Sequence, residues 1–237
     1  MTHAAPAAHD EGEAAGGLAL VVPQLFVPLG LEVTSVVPEP DNAEYGAVLV
    51  QTATGAATPA HVGSVAAVGG SAGGGGSSAG GGGSSAAANA GPTGAVAAAH
   101  GAGSAGPVVR VRRGKVTPTK VGLFVTHWRR ASDGTTGPYD ERDCADVLFV
   151  TASEPRGSET GAPPRQGVFA FTREALLTHG IVGREGAAGK RGFRVYPPWS
   201  GTAPGQATRT RRWQLEHFVE LPLSADGRSR ASRLLVG

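Results

Sequence analysis

Basic side chains are the residues of this sequence whose types and spacing most clearly suggest chemistry. All 21 lysines and arginines lie from Arg110 onward, where 12 acidic residues accompany them, so this half carries a net charge of +9. The first 109 residues hold seven acidic groups and no basic one. Lysine and arginine neutralise phosphates, and a guanidinium also binds guanine through two hydrogen bonds. The pattern indicates a polyanionic partner for the second half, although an arginine-rich composition is also typical of a GC-rich genome.

Three short segments carry the basic side chains that we predict to contact nucleic acid. Alternation along a strand at Val108–Arg113 places Arg110 and Arg112 on one face and Val109 and Val111 on the other, so we expect the charges to point outward together. Each such side chain could neutralise one phosphate. The predicted nucleic-acid-binding residues are Arg112, Arg113, Lys115, Lys120, Arg129, Lys190, Arg191, Arg194 and Tyr196.

Other environments are open to the same side chains. Lys115 and Arg194 could lie on a solvated face, or form a buried ion pair with Glu44 or with an aspartate of the 140s, which makes Glu44 a candidate polar partner. Tyr196 precedes two prolines and is expected to be an exposed aromatic beside the basic face. The three tryptophans are expected in the core, because a chain with only 5% aromatic residues needs most of them there.

A metal-dependent nuclease is the catalytic alternative. Such a site needs two carboxylates for Mg²⁺ and a lysine two residues after one of them. No carboxylate stands two residues before any of the three lysines. A displaced version would combine Glu44 with Asp140, Asp143 or Asp146. We therefore favour a protein without catalytic residues, metal or cofactor, and keep a degenerate nuclease as an alternative.

The elements that must position these residues are mostly short strands. Thr172 is a typical N-cap for a short helix that ends near Gly180, and Gln206–Val219 has the pattern of an amphipathic helix with a strand at its end. This order predicts a single compact α+β domain with a mainly antiparallel sheet and a few short helices. The predicted strands are Val108–Arg113, Gly122–Arg130, Ala145–Ala152, Gly167–Phe171 and Gly192–Tyr196.

Low-complexity sequence interrupts this domain. Between Ala53 and Gly106, 42 of 54 residues are Ala, Gly or Ser, which is too little apolar surface to offset the entropy of ordering. The ordered pattern upstream of it is too short for its own core, so we expect it to pack onto the second half. The predicted organisation is a disordered tail at 1–17, one domain from 18–52 and 108–223, a disordered insertion at 53–107, and a basic C-terminal tail at 224–237.

Compartment and exposure follow from a few further residues. Cys144 is the one cysteine and cannot form an internal disulfide; its acidic neighbours would raise its pKa, so we expect a small buried residue. The apolar run Leu18–Leu31 follows acidic residues and is broken by Pro23 and Pro28, so we predict neither a signal peptide nor a membrane span. We expect a cytoplasmic protein that does not bind membranes, and favour a monomer.

Two sets of motifs resemble the MepB-like family. Residues 112–129, RRGKVTPTKVGLFVTHWR, are close to the family signature, and the second set comprises Gly167–Phe171, Gly189–Trp199, Gln206-Ala and Arg212-Trp-Gln. The resemblance extends upstream to Glu44-Tyr-Gly-Ala. Gly114 stands where the family usually has alanine, and the low-complexity insertion replaces a short connection.

The resemblance implies a fold like the DNA-recognition part of certain restriction endonucleases, and it brings no established enzymatic activity. We therefore expect a non-catalytic module that binds nucleic acid, favouring DNA, through a basic face with an exposed aromatic. A sensor of a small molecule or a modified base is the other alternative. In that case Tyr196, Trp199 and Phe171 would line an apolar pocket, with Arg194 and Glu44 as its polar groups.

Overall fold

The structure is a computed structural model that describes residues 17–39, 48–54, 106–131, 133–155, 163–202 and 204–236. Residues 1–16 of the predicted tail, Glu44, and residues 55–105 of the predicted insertion lie outside the described residues. The described ranges contain eleven strands, which form an α+β fold together with a few short helices. The strands are β1 (Leu31–Pro38), β2 (Val48–Thr54), β3 (Val108–Arg113), β4 (Lys115–Thr117), β5 (Lys120–Thr126), β6 (Trp128–Arg130), β7 (Thr136–Pro138), β8 (Val147–Ser153), β9 (Gln166–Thr172), β10 (Gly192–Val195) and β11 (Phe218–Leu221).

A six-stranded sheet with the order β1-β2-β3-β8-β9-β11 forms the middle of the fold. All of its pairings are antiparallel except β3 with β8, which confirms the predicted mainly antiparallel arrangement. Both faces of β8 are covered, which explains its continuous apolar sequence: Val147 and Phe149 belong to one core cluster, and Leu148 and Val150 to the other.

Helical segments cover the first face of this sheet. The N-terminal helical segment (17–29) includes Val22–Phe26 and Val27–Leu29, and it contributes Leu25 and Phe26 to the first core cluster. The C-terminal helix (Ala225–Val236), labelled α3 in chain order, adds Ala231 and Leu235 to the same cluster. The region predicted as a basic C-terminal tail is therefore mostly a packed helix, because its few apolar residues recur at helical spacing.

A three-stranded sheet with the order β10-β5-β4 covers the second face. Leu123 and Val125 of β5 and Phe193 and Val195 of β10 pack in the second core cluster. The strand predicted over Gly122–Arg130 is divided: β5 ends at Thr126, and β6 pairs instead with β7. The Thr117-Pro-Thr turn lies within the hairpin β4–β5.

Two further helices connect the strands. Helix α1 (Arg173–Thr178) has Thr172 as its N-cap, whose hydroxyl accepts a hydrogen bond from the Ala175 amide, and Gly180 follows with φ of 61°. Both features were predicted. Helix α2 (Gln206–Glu216) ends earlier than the predicted amphipathic segment, and β11 occupies the remainder. In the part of the chain that the structure describes, no helix is long and apolar enough to span a bilayer.

Candidate nucleic-acid interface

The outer face of the three-stranded sheet brings separated basic residues together. Strand register aligns Arg194 on β10 with Phe124 on β5, and Phe124 in turn with Lys115 on β4. Directly paired residues share a face of a sheet, so these three side chains form one row. The Arg194 guanidinium carbon lies 5.9 Å from the centre of the Phe124 ring. Two cations that are 79 residues apart in sequence thus flank one half-buried aromatic ring.

The Arg194 side chain holds the β4–β5 hairpin in place. Its Nη2 donates to the Thr117 hydroxyl at 2.7 Å. Its Nη1 lies within 3.2–3.5 Å of the carbonyl oxygens of Lys120, Val121 and Gly122. A guanidinium has five N–H donors in a fixed plane, and this one uses both terminal nitrogens on the hairpin. Arg194 therefore fixes the hairpin tip relative to β10, a role that its sequence position did not indicate.

A groove of about 550 Å³ runs between β10 and helix α2. Three of the predicted nucleic-acid-binding residues line it, namely Lys190, Arg194 and Tyr196. The Tyr196 side chain is half-buried, so it is less exposed than expected. Its ring packs over Gly122, where a Cβ atom would stand 2.7 Å from Tyr Cδ1 and where φ is +80°. Only glycine fits that position without strain, because the backbone is left-handed and the ring fills the space.

Gln214 is a fully buried side chain that fixes the groove, and sequence reasoning did not select it. Its Nε2 donates to the Arg194 carbonyl at 2.8 Å, and its Oε1 accepts from the Tyr196 amide at 3.0 Å. The Gln214 side chain therefore hydrogen-bonds to the backbone at the edge of β10, as a neighbouring strand would, and joins β10 to α2. The available signal was its place in the Arg212-Trp-Gln motif.

An aromatic pair forms one wall of the same groove. The rings of Trp213 and His179 are stacked, with centroids 3.7 Å apart and an interplanar angle of 11°. Burial lowers the pKa of His179, which favours the neutral ring at neutral pH. Trp213 was predicted to lie in the core. It packs against the second core cluster on one side and lines the groove on another.

Arg112 does not belong to this surface. Arg112 and Arg110 are 0% and 1% exposed, so the prediction that they point outward is wrong. The predicted alternation is present, since Val109 and Val111 face the first core cluster. The opposite face of β3 is not open to solvent, because the second core layer covers it.

Glu39, which directly follows β1, neutralises these arginines. Its Oε2 accepts from Arg112 Nη1 at 2.5 Å, and its Oε1 accepts from Arg110 Nε at 3.1 Å and from the Tyr139 hydroxyl at 3.0 Å. Burial raises the pKa of Glu39, but the Arg112 and Arg110 guanidinium groups outweigh burial and hold the pKa at about 2. Burial raises the pKa of Tyr139 to about 12. We name these residues, together with His127, the buried arginine cluster.

His127 completes the buried arginine cluster as an uncharged ring. It is 1% exposed, and its ring centroid lies 4.7 Å from that of Tyr139. Burial, followed by the charges of Arg110 and Arg112, lowers its pKa well below the ordinary value. The cluster thus holds two cations and one anion beneath the surface.

The other predicted residues are spread over several environments. Arg129 is half-buried and pairs with Asp143, whose pKa is raised by burial, so one ion pair with an aspartate of the 140s forms at Arg129. Arg113 lines a separate cavity of about 400 Å³. The exposed cations near the groove are Lys120, Lys190 and Arg191.

The described residues of the two alternatives lie in different environments, and Glu44 lies outside the described residues. Asp146 accepts from the Val108 amide at 2.9 Å and pairs with Arg173 at 3.2 Å, and the described residues contain no group of three or more His, Cys, Asp or Glu that could hold a metal ion. Of the residues proposed for a sensor pocket, Phe171 is completely buried and Trp199 does not line the groove. Cys144 is buried as predicted, and burial raises its pKa to about 11.

Comparison with known proteins gives two similarities. The model of a family described as MepB-like matches residues 97–220. The crystal structure of MepB aligns at 32% sequence identity, covering 50% of this chain and 74% of that chain, with a TM-score of 0.44. None of the curated proteins matches this chain.

Proposed function

This chain belongs to the MepB-like family, and we propose that it is a non-catalytic module that binds DNA through the groove beside β10 and the adjoining β4–β5 hairpin. The family resemblance implies a fold like the DNA-recognition part of certain restriction endonucleases. In this proposal the fold has the same role, which is to bind DNA. The observation that carries the proposal is the convergence of Lys190, Arg194 and Tyr196 in one groove.

Charge and shape on this side of the molecule suit a phosphate backbone. Lys120, Lys190 and Arg191 are exposed, and Lys115 and Arg194 are half-buried on the same sheet or its flank. The hairpin occupies the Arg194 guanidinium, so the other four cations would neutralise about four phosphates. The logarithm of affinity should then fall with the logarithm of salt concentration with a slope of about −3.6. Tyr196 and the Trp213–His179 pair add ring faces on which a base can stack.

The test is duplex DNA affinity measured against salt for single variants. Lys190→Ala should weaken binding and reduce the slope by about one, because one counterion fewer is released. Tyr196→Ala should weaken binding by about 1–3 kcal/mol with the slope unchanged, since stacking releases no counterion. Arg233→Ala is the matched control: this exposed arginine lies on α3, which packs on the opposite face of the large sheet.

Two results would overturn the proposal. The first is wild-type binding no tighter than low millimolar at about 50 mM salt, where a module with several phosphate contacts should bind far more tightly. The second is an equal loss of affinity in Arg233→Ala and Lys190→Ala, which would show that only net charge matters.

A sensor of a small molecule or modified base is the second candidate, favoured by the volume of the groove. About 550 Å³ lies within the range of small-ligand pockets, and stacked rings form one wall. Free nucleosides, normal and modified, should then raise the melting temperature of wild type but not of Tyr196→Ala. An absence of any shift at millimolar nucleoside would eliminate this candidate.

A further inference from the structure

The tip of the β4–β5 hairpin exposes apolar side chains that the groove does not use. Val116 is 60% exposed and Val121 is 55% exposed, and they are two of only five large hydrophobic residues so exposed among the described residues. Lys120 is exposed beside them, as are Pro118 and Thr119 at the turn. Single exposed valines are common, but two on the paired strands of one short hairpin, with a lysine at its turn, form an amphipathic tip.

Contacts from β10 and its flank hold this tip, which extends past the end of the β10 pairing. The regular register of β4 with β5 is interrupted after Val116, where Thr117 pairs with Lys120. Strand β10 pairs only with residues 123–126 of β5. Arg194 binds the Thr117 hydroxyl and three carbonyl oxygens of the tip, and Tyr196 packs over Gly122. A tip held in this way loses little conformational entropy when it binds.

We propose that this hairpin enters the major groove of duplex DNA, where Val116 and Val121 contact thymine methyl groups and Lys120 neutralises an adjacent phosphate. This inference rests on the proposed function. The major groove is about 12 Å wide and admits a two-stranded β-ribbon, and the thymine methyl is the apolar group that it displays. Valine has no hydrogen-bonding group, so the methyl is the feature of a base edge that it can recognise. Arg194 acts here as a positioning residue that holds the tip.

The experiment compares two A·T-rich duplexes that differ only in thymine or uracil, so that the second lacks every methyl group. Wild type should bind the thymine duplex about fourfold more tightly for each methyl that a valine covers. The double variant Val116→Ala/Val121→Ala should bind both duplexes equally, with the salt slope of wild type. Val27→Ala, which removes a 66% exposed valine from the N-terminal helical segment, should keep the preference for thymine.

Three outcomes separate this inference from the proposed function. If wild type shows no preference for thymine but Lys190→Ala still weakens binding, the hairpin inference is overturned and DNA binding stands. If the double valine variant keeps the preference, another residue contacts the methyl groups and the inference is again overturned. If wild type binds neither duplex, both proposals fail. Unchanged melting temperatures of the valine variants, expected for exposed side chains, confirm that folding is not the cause.

Discussion

The buried arginine cluster and the groove beside β10 contain the same residue types in opposite environments. In the cluster, Arg110 and Arg112 are almost completely buried and share the carboxylate of Glu39. In the groove, Lys190 is exposed and Arg194 is half-buried, with its guanidinium on backbone carbonyls and a hydroxyl. A buried cation requires a counter-charge nearby, whereas a surface cation is solvated by water. A basic stretch therefore becomes structural when a distant segment of the chain brings a carboxylate to it.

Removing that carboxylate should have the largest effect. Glu39→Gln leaves two buried guanidinium groups without a counter-charge, so the free energy of unfolding should fall by about 3–5 kcal/mol. Urea denaturation followed by circular dichroism measures the change. Glu32→Gln, at an exposed position on β1, the strand that Glu39 directly follows, is the control and should change stability by less than about 0.5 kcal/mol. Equal effects of the two variants would contradict the role of the buried arginine cluster.

Acid should weaken the same cluster in a defined pH range. The pKa of Glu39 is about 2 in the folded protein, against 4.5 ordinarily. Its contribution to stability is therefore fully present above pH 4.5 and is lost as the pH falls toward 2, with a total of about 3 kcal/mol. Urea denaturation at pH values from 7 to 3 should show this decline in Glu32→Gln as in wild type. If the decline is equally steep in Glu39→Gln, other carboxylates cause it.

Substitutions in the groove should reduce stability less than Glu39→Gln does, and the largest reduction among them is expected at Gln214. Gln214→Ala leaves the Arg194 carbonyl and the Tyr196 amide without their partner, so stability should fall by about 1–3 kcal/mol. Gln206→Ala, at an exposed position on the same helix, should cost less than about 0.5 kcal/mol in the same denaturation experiment. No difference between the two glutamines would mean that α2 does not support β10.

The smallest effect on stability is expected at Lys120. Lys120→Ala removes an exposed charge from the hairpin turn, so thermal denaturation should show a change within about 0.5 kcal/mol. Its DNA affinity should nevertheless fall, and the salt slope should become shallower by about one. If Lys120→Ala loses stability but keeps the wild-type salt slope, Lys120 does not belong to the binding surface.

Local patterns in the sequence were sufficient for much of the fold. Alternation predicted β3, the apolar run at 145–152 predicted β8, and Thr172 and Gly180 predicted the limits of α1. These features depend on neighbours in sequence, which is why they could be read without a structure. The motif over residues 112–129 also indicated the MepB-like family, which the match over residues 97–220 confirmed.

The tertiary structure alone decided which cations face solvent. The pattern of β3 showed that Arg110 and Arg112 share a face, but a strand pattern cannot show whether a second layer covers that face. Glu39 is 71 residues from Arg110 in sequence, and only the pairing of β1, β2 and β3 brings the two together. Similarly, Gln214 supports the groove because α2 crosses the edge of β10. Burial and long-range ion pairing depend on how layers stack, and that information is not contained in the spacing of residues along one strand.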